Sequence, residues 1–314
     1  MKDPGINLIT VLGPTAVGKT TFAARLAREI DGEIVSADSR QVYRGMDIGT
    51  GKDYGDYVID GTTVPHHLLD LLDAGYEYNV FLFKEDFVRV YNEITSRGKV
   101  PVLCGGTGMY IESVLRDYQL LHVPVNEQLR KDLEKKSFEE LRGMLKLYGS
   151  LHNITDTVNR KRLIRAIEIG VHQSTRKEEE RKRLEIVPLV LGLRIERMLR
   201  RKRITERLKK RLDEGLVDEV AGLLAKGVSH EKMDYYGLEY RFVSRYINKE
   251  LTYDEMVKRL NTAIHQFAKR QMTYFRGMER RGIQIHWLDA AAPMEELIGS
   301  ALGLIRDSSS MKYQ

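Results

Sequence analysis

Residues 7–30 read NLITVLGPTAVGKTTFAARLAREI, and three kinds of backbone follow one another within them. Asn7 to Leu12 is a short apolar, β-branched run that stops at Gly13-Pro14, the pattern of a buried strand. Thr20 to Ile30 sets Phe22, Leu26 and Ile30 at i, i+4 and i+8, one stripe of a helix. Between them Gly13–Thr20 fits G-x-x-x-x-G-K-[ST] in the strand-to-helix setting that a P-loop requires. Glycines let the backbone wrap an anion so that its amides and the helix N-terminus point inward. Lys19 adds a point charge, and the Thr20 hydroxyl is suited to Mg²⁺. Gly13, Pro14, Thr15, Ala16, Val17, Gly18, Lys19 and Thr20 are therefore the expected cradle of a phosphate chain, with Thr20 as the metal ligand. The motif specifies a di- or triphosphate, not the molecule that carries it.

Outward from this stretch the same alternation continues. Glu33 to Ala37 is strand-like, and Val80 to Arg97 keeps Phe83, Phe87, Val90 and Ile94 at helical spacing before Gly98. Val100 to Cys104 is a third apolar run. The expected class is α/β: a P-loop NTPase-like parallel sheet core flanked by helices, with an α-helical insertion domain. Residues 1–120 form the first part of the core. Residues 121–186, polar and helical throughout, form the insertion, and residues 187–314 return to the core with basic and C-terminal helices. Within the insertion, RKEEERKRLE at 176–185 reads as a solvated helix face or a link.

The chain has 314 residues, 42% hydrophobic and 31% charged, which excludes a disordered or collagen-like polymer. No run approaches the ~18 apolar residues of a membrane span. The N-terminus lacks a signal peptide's apolar core, and one cysteine excludes an intramolecular disulfide framework. A cytoplasmic monomer is expected. The net charge of +6 is segregated: residues 1–120 carry 12 Lys and Arg against 17 Asp and Glu, and the remainder 39 against 28. That asymmetry suggests a polyanionic partner for the later chain, with solvated basic helices as the alternative.

Two further motifs sit at strand ends. In Ser36–Tyr43 (SADSRQVY), Asp38 follows a strand parallel to the first and should open at the carboxyl edge of the sheet. There it could hold magnesium through water, cap the next helix, or act as a general base. Ser39 and Gln41 could hydrogen-bond a nucleobase or finish the turn. Gly105–Tyr110 (GGTGMY) follows the third strand where a Walker B segment would end in Asp, so the usual metal-organising carboxylate is missing and Thr107 offers a hydroxyl instead.

Together these segments resemble the tRNA dimethylallyltransferase family, with GPTAVGKT at 13–20, SADSRQVYRGMDIGTGK at 36–52 and GGTGMY at 105–110. The likeness continues through PHHLLD (65–70), RKRLIRAIEI (160–169), GLVDEV (215–220) and AKRQMTYFR (268–276), almost the whole chain. It implies Mg²⁺-dependent transfer of a dimethylallyl group from dimethylallyl diphosphate to the exocyclic amine of adenosine 37, beside the tRNA anticodon. It assigns Asp38 as the base and places Thr107 near the phosphate end of the substrate. It also implies tRNA contacts by Asp38, Ser39, Arg40 and Gln41, by Lys161, Arg162, Leu163, Ile164 and Arg165, and by Arg130 across a one-residue shift. The anticodon stem-loop is thus the expected RNA element. The run 194–211 carries ten basic and two acidic residues and would meet backbone phosphates, or stand as a solvated face.

The family pattern is broken at Tyr236-Gly237-Leu238-Glu239-Tyr240-Arg241, where many members read I-G-Y-R-E. Ile264-His265-Gln266 replaces T-R-Q, and Tyr274 a usual Trp, on the family's RNA-facing or tunnel-closing side. His66-His67 is expected to begin a helix, Cys104 to be a buried strand residue and Trp287 to lie in a late strand. The aromatics of 78–91 are expected in a helical core. The rival readings are a P-loop kinase for a small metabolite, a prenyltransferase for free adenine nucleotides, and an RNA-binding protein with a vestigial P-loop.

Overall fold

The computed structural model of the chain describes residues 5–118, 120, 123–148, 159–174 and 184–310, the side chains of 309 and 310 excepted. The chain divides into two compact units, Met1–Tyr118 with Leu184–Gln314, and Gln119–Arg183.

The first unit is built on β1 (Leu8–Leu12), β2 (Gly32–Ser36), β3 (Val58–Ile59), β4 (Thr62–Thr63), β5 (His66–His67), β6 (Val100–Gly105), β7 (Pro188–Arg194) and β8 (His286–Asp289). Six of these strands form one sheet in the order β5-β2-β6-β1-β7-β8, every pairing parallel, and β3–β4 is a separate hairpin. Parallel sheets survive only with both faces covered, which is why β1 is apolar at alternate and intervening positions alike. Leu8 and Leu12, with Val35, Leu103 and Val190, point into one apolar cluster. Ile9 and Val11, with Ile34, Val102, Leu189 and Leu191, point into the other.

Helices α1 (Lys19–Glu29) and α12 (Met294–Ser310) cover the second face through Phe22, Leu26, Leu297 and Ala301. On the first face lie α2 (Val80–Ser96), α3 (Gly108–Leu115), α7 (Arg197–Asp213), α8 (Leu216–Ala225), α9 (His230–Tyr236), α10 (Leu238–Ile247) and the long α11 (Tyr253–Arg280). Phe83, Phe87 and Tyr91 enter that core from α2, as their spacing indicated. Cys104 is buried in β6, and Trp287 lies in β8. Burying each such large apolar side chain contributes about 1.5–3 kcal/mol.

One expectation is corrected. His66-His67 does not begin a helix but forms β5, the outer strand paired with β2 in the register Ile34↔His66 and Val35↔His67. Leu68 and Asp70 take left-handed backbone angles (φ +64° and +52°), which no helix can continue. The buried Glu33 carboxylate fixes the strand, meeting His67 Nε2 at 2.7 Å and Arg97 Nη2 at 2.7 Å. No helix of the described residues is long and apolar enough to cross a membrane.

The second unit contains α4 (Glu127–Glu134), α5 (Phe138–Lys146) and α6 (Arg160–Ser174) around Leu133, Leu141, Leu145, Leu163, Ile164 and Ile167. Asn126 caps α4, and Ser137 with Glu140 forms a capping box on α5. Of the stretch 176–185, residues 176–183 lie outside the described residues.

Candidate active site

In the sheet order β6 lies between β1 and β2, so the chain leaves β1, passes over β6's position and returns. Ligands of open parallel sheets bind in the crevice this reversal makes at the carboxyl ends of the strands. The three strand ends that meet here carry the P-loop, Asp38 and the GGTG turn.

After β1 the backbone turns at Ala16 (φ +65°) and Gly18 (φ +83°). A left-handed alanine costs of order 1–3 kcal/mol and is held only because its surroundings impose it. Gly18 precedes α1 without any side-chain cap, so the first amides of α1 open toward the loop. The half-buried Lys19 donates from Nζ to the Pro14 carbonyl at 2.8 Å. Desolvation deep among neighbouring atoms draws its pKa down to about 8, against the pull of Cys104 and Asp38. Arg207, in the third turn of α7, donates from Nη2 to Thr15 Oγ1. Burial and then the neighbouring Arg211 hold its guanidinium below the usual arginine range. From α11, Gln271 Oε1 accepts the Thr15 amide at 2.8 Å while its Nε2 donates to the Gly106 carbonyl at 3.0 Å. Neither Arg207 nor Gln271 belongs to a sequence motif of the loop, and only the basic run and the AKRQMTYFR segment pointed toward them.

Asp38 is half-buried just past β2, and its Oδ1 accepts the Arg40 amide at 2.9 Å, closing its own turn. Its Oδ2 is engaged by no described residue. Thr107 flanks it on both sides, donating its amide to the Ala37 carbonyl at 3.2 Å and accepting the Ser39 amide on Oγ1 at 3.1 Å. Any side chain at Gly105 would collide with the Ala37 carbonyl, which explains the glycine there. Gln41 turns inward, donating to the Gly51 carbonyl at 3.1 Å, whereas the Arg40 guanidinium lies 4.7 Å from the Tyr235 ring centroid.

The loop that follows is held from α8 and α10. Glu219 accepts the amides of Asp47, Ile48 and Gly49 at 2.8, 2.7 and 3.0 Å, and the Tyr240 hydroxyl at 2.7 Å. Arg211 reaches the Gly49 carbonyl and Glu239 at 3.4 and 3.5 Å. Two of the residues that depart from the family's I-G-Y-R-E, Glu239 and Tyr240, thus buttress this loop. Tyr274 packs on Gly108 and donates to Glu112 at 2.6 Å, beside a two-pronged Arg281–Glu112 pair at 2.6 and 2.8 Å. His265, on α11, lies 3.4 Å from the Thr205 hydroxyl of α7; burial, then Arg201 and Arg200, keep its imidazole below the usual range.

In the unit Gln119–Arg183, Lys161 and Arg162 are exposed on the first turn of α6. Leu163 and Ile164 are 0% and 6% exposed in its apolar core. Helical spacing turns both side chains inward, so in this unit they serve the core. Arg130 donates to the buried Glu168 at 3.1 and 2.9 Å, and Arg165 pairs with the same carboxylate and donates to the Val123 carbonyl at 2.7 Å. In α7, Ile204 and Leu208 are buried and Arg211 is 8% exposed, whereas Arg197, Arg201, Lys202, Lys209 and Lys210 are exposed. The basic run is thus part phosphate-loop wall and part open cationic face.

Among the described residues no group of three or more His, Cys, Asp or Glu is arranged to hold a metal ion. A single hydroxyl, Thr20 on the first turn of α1, fits a cation whose remaining ligands are phosphate oxygens and water.

Comparison with known proteins matches residues 41–278 to a family described as IPP transferase and residues 6–63 to one described as Isopentenyl transferase. The chain is 55% identical over 301 residues to tRNA dimethylallyltransferase 1 of Parabacteroides distasonis, across 96% of this chain and 98% of that one. It is 56% identical over 298 residues to tRNA dimethylallyltransferase 2 of Bacteroides fragilis, across 95% and 97%. The solved full-length tRNA isopentenylpyrophosphate transferase of Bacillus halodurans is 30% identical with a TM-score of 0.71, covering 98% and 99%.

Proposed function

The chain belongs to the IPP transferase family and acts as a transferase on tRNA, and from that premise we propose the reaction in full. A dimethylallyl group passes from dimethylallyl diphosphate to the exocyclic amine of adenosine 37 in the anticodon stem-loop, and diphosphate is released. The observation that carries this reading is the pairing of two desolvated cations, Lys19 and Arg207, with a carboxylate whose Oδ2 is unengaged at the adjacent strand end.

The amine's lone pair is delocalised into the purine, so it is a weak nucleophile. As its nitrogen bonds to the allylic carbon, Asp38 Oδ2 takes the N–H proton, and the carbon–oxygen electron pair leaves with the diphosphate. The Arg40 amide on Oδ1 fixes which carboxylate oxygen is presented. Lys19, Arg207 and the first amides of α1 stabilise the charge that grows on the leaving group. Thr107 steadies the Asp38 turn through Ser39 and offers its hydroxyl to the phosphate end. Thr20 would hold Mg²⁺, which supplies further positive charge to the diphosphate. Lys161, Arg162, Arg40 and the exposed cations of α7 would meet RNA phosphates, and drawing the base from an already partly unpaired loop costs a few kcal/mol.

The test is incubation with an anticodon stem-loop, labelled dimethylallyl diphosphate and Mg²⁺, followed by nucleoside analysis. The expected product is adenosine carrying the label on its exocyclic nitrogen. Label appearing only on free adenine nucleotides, or turnover requiring ATP, would overturn the reading.

A further inference from the structure

The carboxamide of Gln271 stands between the two glycine-rich turns of the site. It is 8% exposed, comes from α11, and lies 256 residues from one partner and 165 from the other. Each of its polar ends is used once: Oε1 accepts the Thr15 amide and Nε2 donates to the Gly106 carbonyl. A Cβ at Gly106 would stand 2.5 Å from Nε2, so the absence of a side chain there is what admits the carboxamide. The same Thr15 receives Arg207 on its hydroxyl. Thr15 is thus pinned at its amide and at its side chain, immediately before the left-handed Ala16.

We propose that Gln271 is a positioning residue for the diphosphate: a crosspiece that locks the P-loop to the Gly105–Gly108 turn, holding loop amides, Arg207 and Thr107 in one spacing. This rests on reading the P-loop as the cradle of a diphosphate. Backbone donors bind an anion tightly only when their directions are fixed beforehand, since otherwise binding must order them. Without the crosspiece β1 and β6 stay paired as far as Leu12 and Gly105, but the bond that carries this registration on to Thr15 and Gly106 is gone. The substrate affected is the diphosphate, not the RNA.

The test compares wild type with Gln271→Met, which fills a similar volume without hydrogen bonds, and Gln271→Glu, which keeps the acceptor for Thr15. Inorganic pyrophosphate with Mg²⁺ is titrated by calorimetry, and KM is measured for each substrate. The Met variant should bind pyrophosphate about tenfold more weakly, with KM for dimethylallyl diphosphate rising in parallel and KM for tRNA unchanged. In the Glu variant an ionised carboxylate faces the Gly106 carbonyl and cannot donate, so its deficit relative to wild type should shrink as pH falls and the acid gains a proton. Because an ionised glutamate also repels the diphosphate, the charge-free Met variant, with its KM split between the two substrates, is the readout that a merely packing side chain would not move. Equal pyrophosphate binding by wild type and Met variant, or a pH-independent Glu deficit, overturns the crosspiece. Failure of wild type itself to bind pyrophosphate overturns the diphosphate reading beneath it.

Discussion

Raising the pH should empty the cradle of substrate before it unfolds the protein. Lys19 carries its proton with a pKa of about 8, because burial disfavours the charged form more than Cys104 and Asp38 restore it. It is therefore charged at pH 7 and mostly neutral at pH 9. If only the charged form grips phosphate, the apparent Kd for dimethylallyl diphosphate should rise about tenfold between pH 7 and 9, or about 1.4 kcal/mol, and another threefold by pH 9.5. The substrate does not confuse the measurement, since a phosphate group completes its ionisation near pH ~6. Burial and Arg211 bring the Arg207 guanidinium down to about 9, so the rise below about pH 8.5 is the part that reports Lys19. Equilibrium dialysis of the labelled substrate against enzyme at fixed Mg²⁺ gives the profile. Binding above pH 8 should also take up a proton, since the anion restores the lysine's charge, and calorimetry in buffers of different ionisation enthalpy reads that uptake. In Lys19→Arg the affinity is lower but its pH dependence over about 7–8.5 should be flat. A wild-type profile without the rise, or a Lys19→Arg profile with the same rise, refutes the reasoning.

Asp38→Asn should lower kcat by roughly 10²–10⁴-fold while leaving the affinity for dimethylallyl diphosphate near that of wild type, as single-turnover kinetics can read. Near-normal turnover would remove the base. Affinity for tRNA should fall steeply with salt, and Lys161→Ala with Arg162→Ala should reduce the log–log slope by up to about two; an unchanged slope places the RNA elsewhere. Leu163→Ala should leave that slope alone and instead destabilise the helical unit by about 2–5 kcal/mol, measured by denaturant unfolding.

Local patterns carried much of the architecture. The β1 stretch, the α1 stripe and the α2 stripe each announced themselves because an apolar strand and a 3.6-residue period depend only on neighbours in sequence. The P-loop and the Thr107 turn were legible for the same reason. His66-His67 was not, because its strand exists through pairing with β2 and through the Glu33 carboxylate, both distant in sequence. Arg207 looked like one cation among ten, and nothing local distinguishes it from Lys209; its place is set by how α7 lies on the sheet. For Leu163 and Ile164 the family motif and the helical period point to different sides. The period alone, continued from Leu163 to Ile167, would have turned them inward.

Arg207 and Thr15, which touch although they stand 192 positions apart, also set a timetable. During synthesis the glycine loop emerges early, well ahead of the arginine that leans on it. Any growing or truncated polypeptide that stops short of α7 displays a phosphate-binding signature without its second cation. Such a fragment would present the hallmark of the catalyst with one of its two cations missing, so the cradle is complete only once the later chain has docked.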